Sequence, residues 1–239
     1  MMETEVNRAL TSEKRIDFMA KYVITIDGPA ASGKSSVSRE VASHFGWEWL
    51  STGAFYRGLA LIAQLTKTPL DNETKLVELA TSPRWEVKTD PVKTRVIFEG
   101  RDVTDSIYME EVGDAASKIS HFPKVREALL EAQRAFGRGT TGGLVAEGRD
   151  CGTVVFPKAH VKIYLTAHSE SRASRRAKEE GTDHGQILEK QKIRDDQDQN
   201  RKAAPLQVPE NAQVVDTSEM NLEQVVDWVE ALIQARLKL

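Results

Sequence analysis

The stretch Tyr22-Val-Ile-Thr-Ile-Asp-Gly-Pro-Ala-Ala-Ser-Gly-Lys-Ser-Ser36 decides the fold. A short apolar run, residues 23–26, ends in Gly28-x-x-x-x-Gly33-Lys34-Ser35. This is the phosphate-binding glycine loop, in the order strand, loop, helix start. Its glycines let the backbone wrap closely and turn N–H groups toward phosphate oxygens, and the following helix adds its positive end. Gly28, Pro29, Ala30, Ala31, Ser32, Gly33, Lys34, Ser35 and Ser36 are therefore the candidate cradle for the phosphates of ATP. Lys34 would reach the β- and γ-phosphates, and the Ser35 hydroxyl would hold Mg2+. Asp27, at the end of the strand, could orient a Mg2+-bound water.

Composition bounds the rest. A chain of 239 residues with 29% charged and 40% apolar residues reads as globular and soluble rather than disordered. The net charge of −3 gives no overall pull toward nucleic acid, so no nucleic-acid partner is expected and anion binding must come from local clusters. The single cysteine, Cys151, rules out an intramolecular disulfide and fits a reducing cytoplasm. No apolar run approaches the ~20 residues that span a bilayer, so no membrane partner is expected. Residues 1–20 are mixed and charged and lack an apolar signal core; they read as a flexible or weakly helical extension, with a second start conceivable at Met19.

Beyond the extension, strand-like and helix-like segments alternate, which is the α/β pattern. Strands are expected over residues 23–26, 47–50, 144–147, 161–165 and 213–216, short apolar runs suited to a parallel sheet buried on both faces. Helices are expected over 34–45, 53–65, 123–136 and 221–237, the third ending at Gly137. The apolar faces comprise Leu59, Ile62, Ala63 and Leu65 in the second and Leu222, Val225, Val226, Val229 and Leu232 in the last. Residues 68–105 break the rhythm. A short helix over 73–80 and two period-two runs, 85–89 and 94–98, around Asp90-Pro91 predict a small antiparallel insert lobe. Residues 169–198 are intensely charged, with a break at 181–185, and predict a basic helical lid over about 169–194. The expected architecture is one α/β P-loop domain over 21–239 with a central parallel sheet of about five strands flanked by helices, the insert lobe and the lid.

Three further clusters carry chemistry. In Ser51-Thr52-Gly53-Ala54-Phe55-Tyr56-Arg57 a glycine opens a helix and an arginine follows one turn inside; its planar fork suits phosphate oxygens. Glu147-Gly-Arg-Asp-Cys-Gly-Thr153 follows a buried strand, where open α/β sheets bind ligands. Arg194, Asp198 and Arg201 share one helix face by spacing. Each alone also reads as an ordinary turn or surface helix. The five histidines and four tryptophans show no metal-ligand or base-stacking pattern and read as surface or packing residues.

Taken together, these clusters resemble the bacterial-type cytidylate kinases, the CMP/dCMP kinases of the nucleoside monophosphate kinase group. The resemblance runs from about Tyr22 to the C-terminus. It rests on residues 26–35, Thr52-Gly-Ala-Phe-Tyr-Arg57, Ala115-Ala-Ser117, Phe122-Pro-Lys-Val-Arg-Glu-Ala-Leu129, Gly148-Arg-Asp-Cys-Gly-Thr-Val-Val-Phe-Pro157 and Arg194-Asp-Asp with Asp198 and Arg201. The string from Gly148 is far more specific than the glycine loop. The resemblance implies ATP-dependent phosphorylation of CMP and dCMP with Mg2+. It implies that Ser117, Arg126 and Asp150 read the cytosine ring, while Arg57, Arg149 and Arg201 hold the monophosphate. Arg194 and Asp198 would contact the sugar, and Thr52 belongs with the substrate-binding residues. Arg172, Arg175 and Arg176 look like the lid arginines that close on ATP, and Lys34, Arg57, Arg149 and Arg201 would be catalytic. A monomer is expected, since small kinases of this build often work alone.

Two departures stand out. The residue before Thr52 is usually Asp in that family and is Ser51 here, so a carboxylate role there is lost or met by Asp27. The lid segment between Arg176 and Arg194 also looks short. Other small-molecule P-loop kinases and a non-catalytic nucleotide-binding module are the rival readings. The insert and the Gly148-Arg149-Asp150 string argue against the first, and the arginine count against the second.

Overall fold

The computed structural model describes residues 20–181 and 183–239. The expected N-terminal extension lies outside the described residues except for Ala20. At the centre is a five-stranded, all-parallel sheet in the order β2-β6-β1-β7-β8. Its strands are β1 (Tyr22–Asp27), β2 (Glu48–Ser51), β6 (Gly143–Gly148), β7 (Val161–Thr166) and β8 (Gln213–Asp216). β1 sits in the middle with helices over both faces, which is why its residues must be apolar or small on both sides. Alternate side chains point to opposite cores. Ile24, Ile26 and Val145 pack with α1 (Lys34–Phe45) and α8 (Leu222–Leu237). Val23, Leu144 and Ala146 pack with α2 (Gly53–Leu65) and α5 (Pro123–Gly139). Each such fully buried aliphatic side chain stabilises the fold by about 1.5–3 kcal/mol.

The chain passes from β1 to β2 and later from β6 to β7 by skipping a neighbour, so the sheet order reverses around β1. Ligands in such sheets bind at that switch point, beyond the carboxyl ends of the strands. The glycine loop after β1 and the Gly-Arg-Asp segment after β6 meet at this edge. Asp27 locks them together. Its carboxylate oxygens accept from the backbone N–H groups of Cys151 (2.8 Å) and Gly152 (2.7 Å), in a π-turn spanning Cys151–Val155. Burial pushes the Asp27 carboxyl up to about 6, against the pull of those two N–H donors.

A second, antiparallel sheet holds β3 (Trp85–Thr89), β4 (Thr94–Phe98) and the two-residue β5 (Arg101–Asp102). It is stitched to the free edge of β2. Trp49 N donates to Asp90 O at 3.0 Å, Thr94 Oγ1 donates to Trp49 O at 2.8 Å, and Ser51 N donates to Thr94 Oγ1 at 2.9 Å. Trp85 and Val96 also close on Gly58 of α2, where any Cβ would lie 3.1 Å from each. α3 (Glu73–Ala80) precedes this sheet and α4 (Glu110–Ile119) follows it. α6 (Ser169–Glu180) and α7 (His184–Gln199) form the charged helical pair, separated at Gly181 by a left-handed turn (φ 64°). No described helix is long and apolar enough to cross a membrane.

Several sequence expectations need correction. The helix expected to stop at Phe136 continues to Gly139. Gly137 is a packing glycine rather than a terminator, since a Cβ there would meet the Phe156 ring at 2.8 Å. Leu65 and Leu222, expected on apolar faces, are exposed (56% and 45%); Ile233 of α8 is fully buried. α4, β5 and the π-turn were not expected.

Replacing Asp27 by Ala leaves two buried N–H groups unpaired, each costing about 1–3 kcal/mol. Asp27→Ala should lower unfolding free energy by about 2 kcal/mol or more in urea denaturation. An unchanged midpoint would show that the carboxylate does not hold the turn.

Candidate active site

The carboxyl ends of β1 and β6 open onto a cavity of about 460 Å3. The glycine loop forms one wall, with Ala30, Ala31, Gly33, Lys34, Ser35 and Ser36 facing the space. Gly28, Pro29 and Ser32 stand behind it. A Cβ on Gly28 would sit 2.2 Å from the Leu165 carbonyl oxygen of β7, so only glycine lets the loop lie so close to the sheet. Ala31 (φ 56°) and Gly33 (φ 84°) turn the backbone left-handed. α1 has no side-chain cap and no acid in its first turn, so its leading N–H groups are open to an anion. Lys34 is buried and donates to Pro29 O at 2.9 Å. Burial first, then repulsion from Arg149, lowers its ammonium group to about 7.

The opposite wall begins where β2 runs into α2. Thr52 Oγ1 donates to Glu147 O at 2.9 Å. Arg57 Nη1 donates to Ile107 O at 2.8 Å, with the guanidinium 5.9 Å from the Tyr108 ring. Burial and the neighbouring Arg194 and Arg176 bring Arg57 down to about 10. At the far end, Arg126 Nη2 donates to Asp150 Oδ2 at 2.5 Å, both side chains nearly buried. Arg126 also donates to Ser120 O at 3.2 Å and lies over the Tyr56 ring at 5.3 Å. Burial lifts the Tyr56 hydroxyl to about 12. Ser117 on α4 donates to Gln197 on α7 at 2.9 Å.

Asp198 organises the roof. Arg149 Nε donates to it at 2.7 Å, and Arg201 Nη1 lies 3.7 Å away. Burial alone would raise this carboxyl, but Arg149 and Arg201 hold it below its usual range. Arg201 keeps a buried Nε without a hydrogen-bond partner. Arg194 faces the cavity and donates to Asp114 at 2.8 Å. Together with the Lys190–Glu110 ion pair, this docks α7 on α4.

The three arginines expected on the lid divide. Arg175 and Arg176 line the cavity, and Arg175 also donates to the hydroxyl (3.1 Å) and carbonyl of Thr217. Arg172 does not line it. It ties α6 to the glycine loop and to α7, donating to Ala30 O at 2.9 Å and pairing with Asp195 at 2.7 Å. Asp27 does not line it either, since both its oxygens face the π-turn.

Sequence reasoning missed Ser51, Gly53, Tyr56, Tyr108, Gly113, Ala116, Ser120, Glu147 and Gly148 as lining residues. Those beside Thr52, Arg57 and Arg149 could have been found by adjacency. Tyr108, Gly113 and Ser120 could not, because the segment from Ser106 through α4 was not expected, whereas Ala116 lies within the Ala115-Ala-Ser117 string. Ser51 Oγ donates to Glu147 Oε1 at 2.5 Å, so a carboxylate does stand beside position 51, supplied from β6 rather than by Asp27. Among the described residues no cluster of three or more His, Cys, Asp or Glu side chains is arranged to cage a metal.

The profile of the cytidylate kinase family matches residues 24–235, almost the whole described chain. The chain belongs to the cytidylate kinase family. A cytidylate kinase of Bdellovibrio bacteriovorus is 58% identical over 215 residues, covering 90% of this chain and 99% of that protein. One of Aeromonas salmonicida is 46% identical over 220 residues, covering 90% and 95%. Among solved structures, an uncharacterised protein from Eubacterium ventriosum shares the fold. Its TM-score is 0.53 at 10% identity, with 90% of this chain and 99% of that chain covered.

The cytidylate kinase family thus has here a site with one lysine and a ring of arginines in excess over their counter-ions. At pH 8 Lys34, lowered to about 7, is mostly neutral, and phosphate oxygens beside it would restore its charge. ATP binding at pH 8 should therefore take up a proton, seen as a calorimetric enthalpy that changes with the buffer's ionisation enthalpy. That uptake should be absent in Lys34→Met. Equal uptake in both proteins would contradict the depressed Lys34.

Proposed function

We propose that this kinase transfers the γ-phosphoryl group of ATP to CMP and dCMP, giving ADP and CDP or dCDP. The observation that carries the reading is the buried Arg126–Asp150 pair at the end of the cavity. Cytosine offers an amino donor at N4 beside acceptors at N3 and O2. Asp150 would accept from the amino group, and Arg126, with Ser117 near, would donate to the ring acceptors. Uracil presents a carbonyl where the amino group stands, which would meet the Asp150 carboxylate with repulsion. The monophosphate would lie among Arg57, Arg149 and Arg201, where the unpartnered Nε of Arg201 is ready to donate. Asp198, occupied by two arginines, would fix their forks, while Arg194 would approach the sugar and Thr52 the monophosphate.

The triphosphate would occupy the glycine loop, on the open N–H groups of α1 and on Lys34. The lid arginines Arg175 and Arg176 would close over it, and Arg172 would set the position of loop and lid. The Ser35 hydroxyl on the cavity wall is an oxygen donor of the kind Mg2+ takes, and that ion is usually held by few protein groups plus phosphate oxygens and water. When bound, Mg2+ would neutralise part of the triphosphate's charge. The attacking CMP oxygen is already anionic, so the protein needs no general base. Its work is to bring two polyanions in line, stabilise the spreading charge with fixed cations and exclude water. The insert lobe, residues 68–105, and the lid, about 169–194, would be the parts that move around the ligands.

An acceptor panel tests the reading. With ATP and Mg2+, ADP formation should be fast with CMP or dCMP and slow with UMP and AMP; equal rates with UMP would contradict the cytosine assignment. Asp150→Ala removes a hydrogen bond to a charged acceptor, worth about 2 kcal/mol, so the CMP KM should rise roughly thirtyfold and the preference over UMP should shrink. ATP affinity should change little. Lys34→Ala should instead lower kcat, with the CMP KM nearly unchanged.

A further inference from the structure

Arg57 stands on the cavity wall in a box that holds it without neutralising it. Among the described residues its hydrogen bonds both leave from Nη1, to Ile107 O at 2.8 Å and Met109 O at 3.4 Å. These two carbonyls flank Tyr108, the last residue of the 3-10 turn Ser106–Tyr108. α4 backs the guanidinium, since a Cβ on Gly113 would lie 2.8 Å from Nη2 and 3.0 Å from Nη1. The Tyr108 ring covers another side, its centroid 5.9 Å from the guanidinium carbon. Nε and Nη2 stay available to an anion.

Packing does not explain Tyr108 itself. Ile107 beside it is fully buried and pins the turn in the core that α2 shares. Tyr108 instead lies on the cavity wall with 52% of its surface exposed. Its hydroxyl has no hydrogen-bond partner among the described residues. Yet that end of the side chain is sheltered. Burial, then the Glu147 carboxylate, raises the hydroxyl, while Arg57 and Arg39 draw it down. The hydroxyl therefore stands among the charged groups at the end of β6 and on α1. An apolar ring against a cation, with an idle hydroxyl inside a cavity rich in arginine, suits a ligand that supplies the missing acceptor.

We propose that Tyr108 belongs to the monophosphate site: its ring keeps the Arg57 guanidinium in place, and its hydroxyl donates to an oxygen of the phosphate that Arg57 grips. The inference rests on the reading that the CMP phosphate lies at Arg57. A neutral donor suits this position. It adds grip on the phosphate without adding to the repulsion that Arg194 and Arg176 already exert on Arg57.

The test compares CMP with cytidine, which has the same base and sugar but no phosphate, as ligands of the full chain without ATP. Tyr108→Phe keeps the ring and should weaken CMP binding about tenfold while cytidine binding stays unchanged. Tyr108→Leu also removes the ring and should cost CMP about threefold more. That extra factor should vanish in a chain already carrying Arg57→Ala, because the ring then has no cation to hold; its persistence would overturn the positioning role. Equal losses for CMP and cytidine would mean a packing role and overturn the proposal, as would unchanged CMP binding in Tyr108→Phe. Arg57→Ala alone separates the two readings. If it weakens CMP and spares cytidine while Tyr108→Phe changes neither, only the role of Tyr108 falls. If it leaves CMP untouched as well, the phosphate lies elsewhere and both readings fall.

Discussion

The constraint on which this structure depends is like charge held close in a dry place. Lys34, Arg149, Arg57, Arg194 and Arg176 face one cavity, and repulsion within this group helps to depress Lys34 and Arg57. Such crowding costs the empty protein stability. It also means that the cations stand in position before any ligand arrives, so little reorganisation is needed when charge moves between two phosphate groups. A site that relaxed its arginines onto surface carboxylates would be more stable and a poorer phosphotransferase.

The scaffold answers this repulsion with a few buried anions. Asp198 spaces Arg149 from Arg201, and Asp150 anchors Arg126. Asp27 acts one layer deeper, using the backbone of the turn after Asp150 as its partner, so that β1 fixes the geometry at the end of β6. The antiparallel insert joins the same arrangement through Thr94, whose hydroxyl bonds both Trp49 and Ser51 at the end of β2. Arg172 links the glycine loop, α6 and α7 through Ala30 and Asp195, so the charged helical pair and the glycine loop are mechanically joined.

The sheet and its flanking helices were legible because their signals are local: short apolar runs, a glycine loop, caps and periodicity. α1, α2, α3, β3 and β4 have the limits their sequence predicts. What could not be read came from contacts distant in sequence. α4 carries Gly113 in its middle and has no side-chain cap, so its helical signal is weak; a Cβ on Gly113 would lie 2.8 Å from the tip of Arg57, a contact that no local window reveals. Gly137 looked like a helix end for the opposite reason, since its packing against Phe156 is invisible in a window of neighbours. In the site, motif residues were found and their partners were not. Arg172 and Arg175 look identical in sequence, and only the fold turns one behind the loop and the other into the cavity. Ser51 read as a lost carboxylate until register brought Glu147 beside it.

On the proposed reading a cytosine nucleotide and a triphosphate would lie side by side in this cavity, the base read at one end and the phosphates clamped in the middle. The most direct measurement is a crystal structure of the chain with CMP and ADP bound. The account predicts the cytosine amino group within hydrogen-bond distance of Asp150, and the CMP phosphate among Arg57, Arg149 and Arg201. CMP bound outside this cavity, or with its base turned away from the Arg126–Asp150 pair, would contradict it.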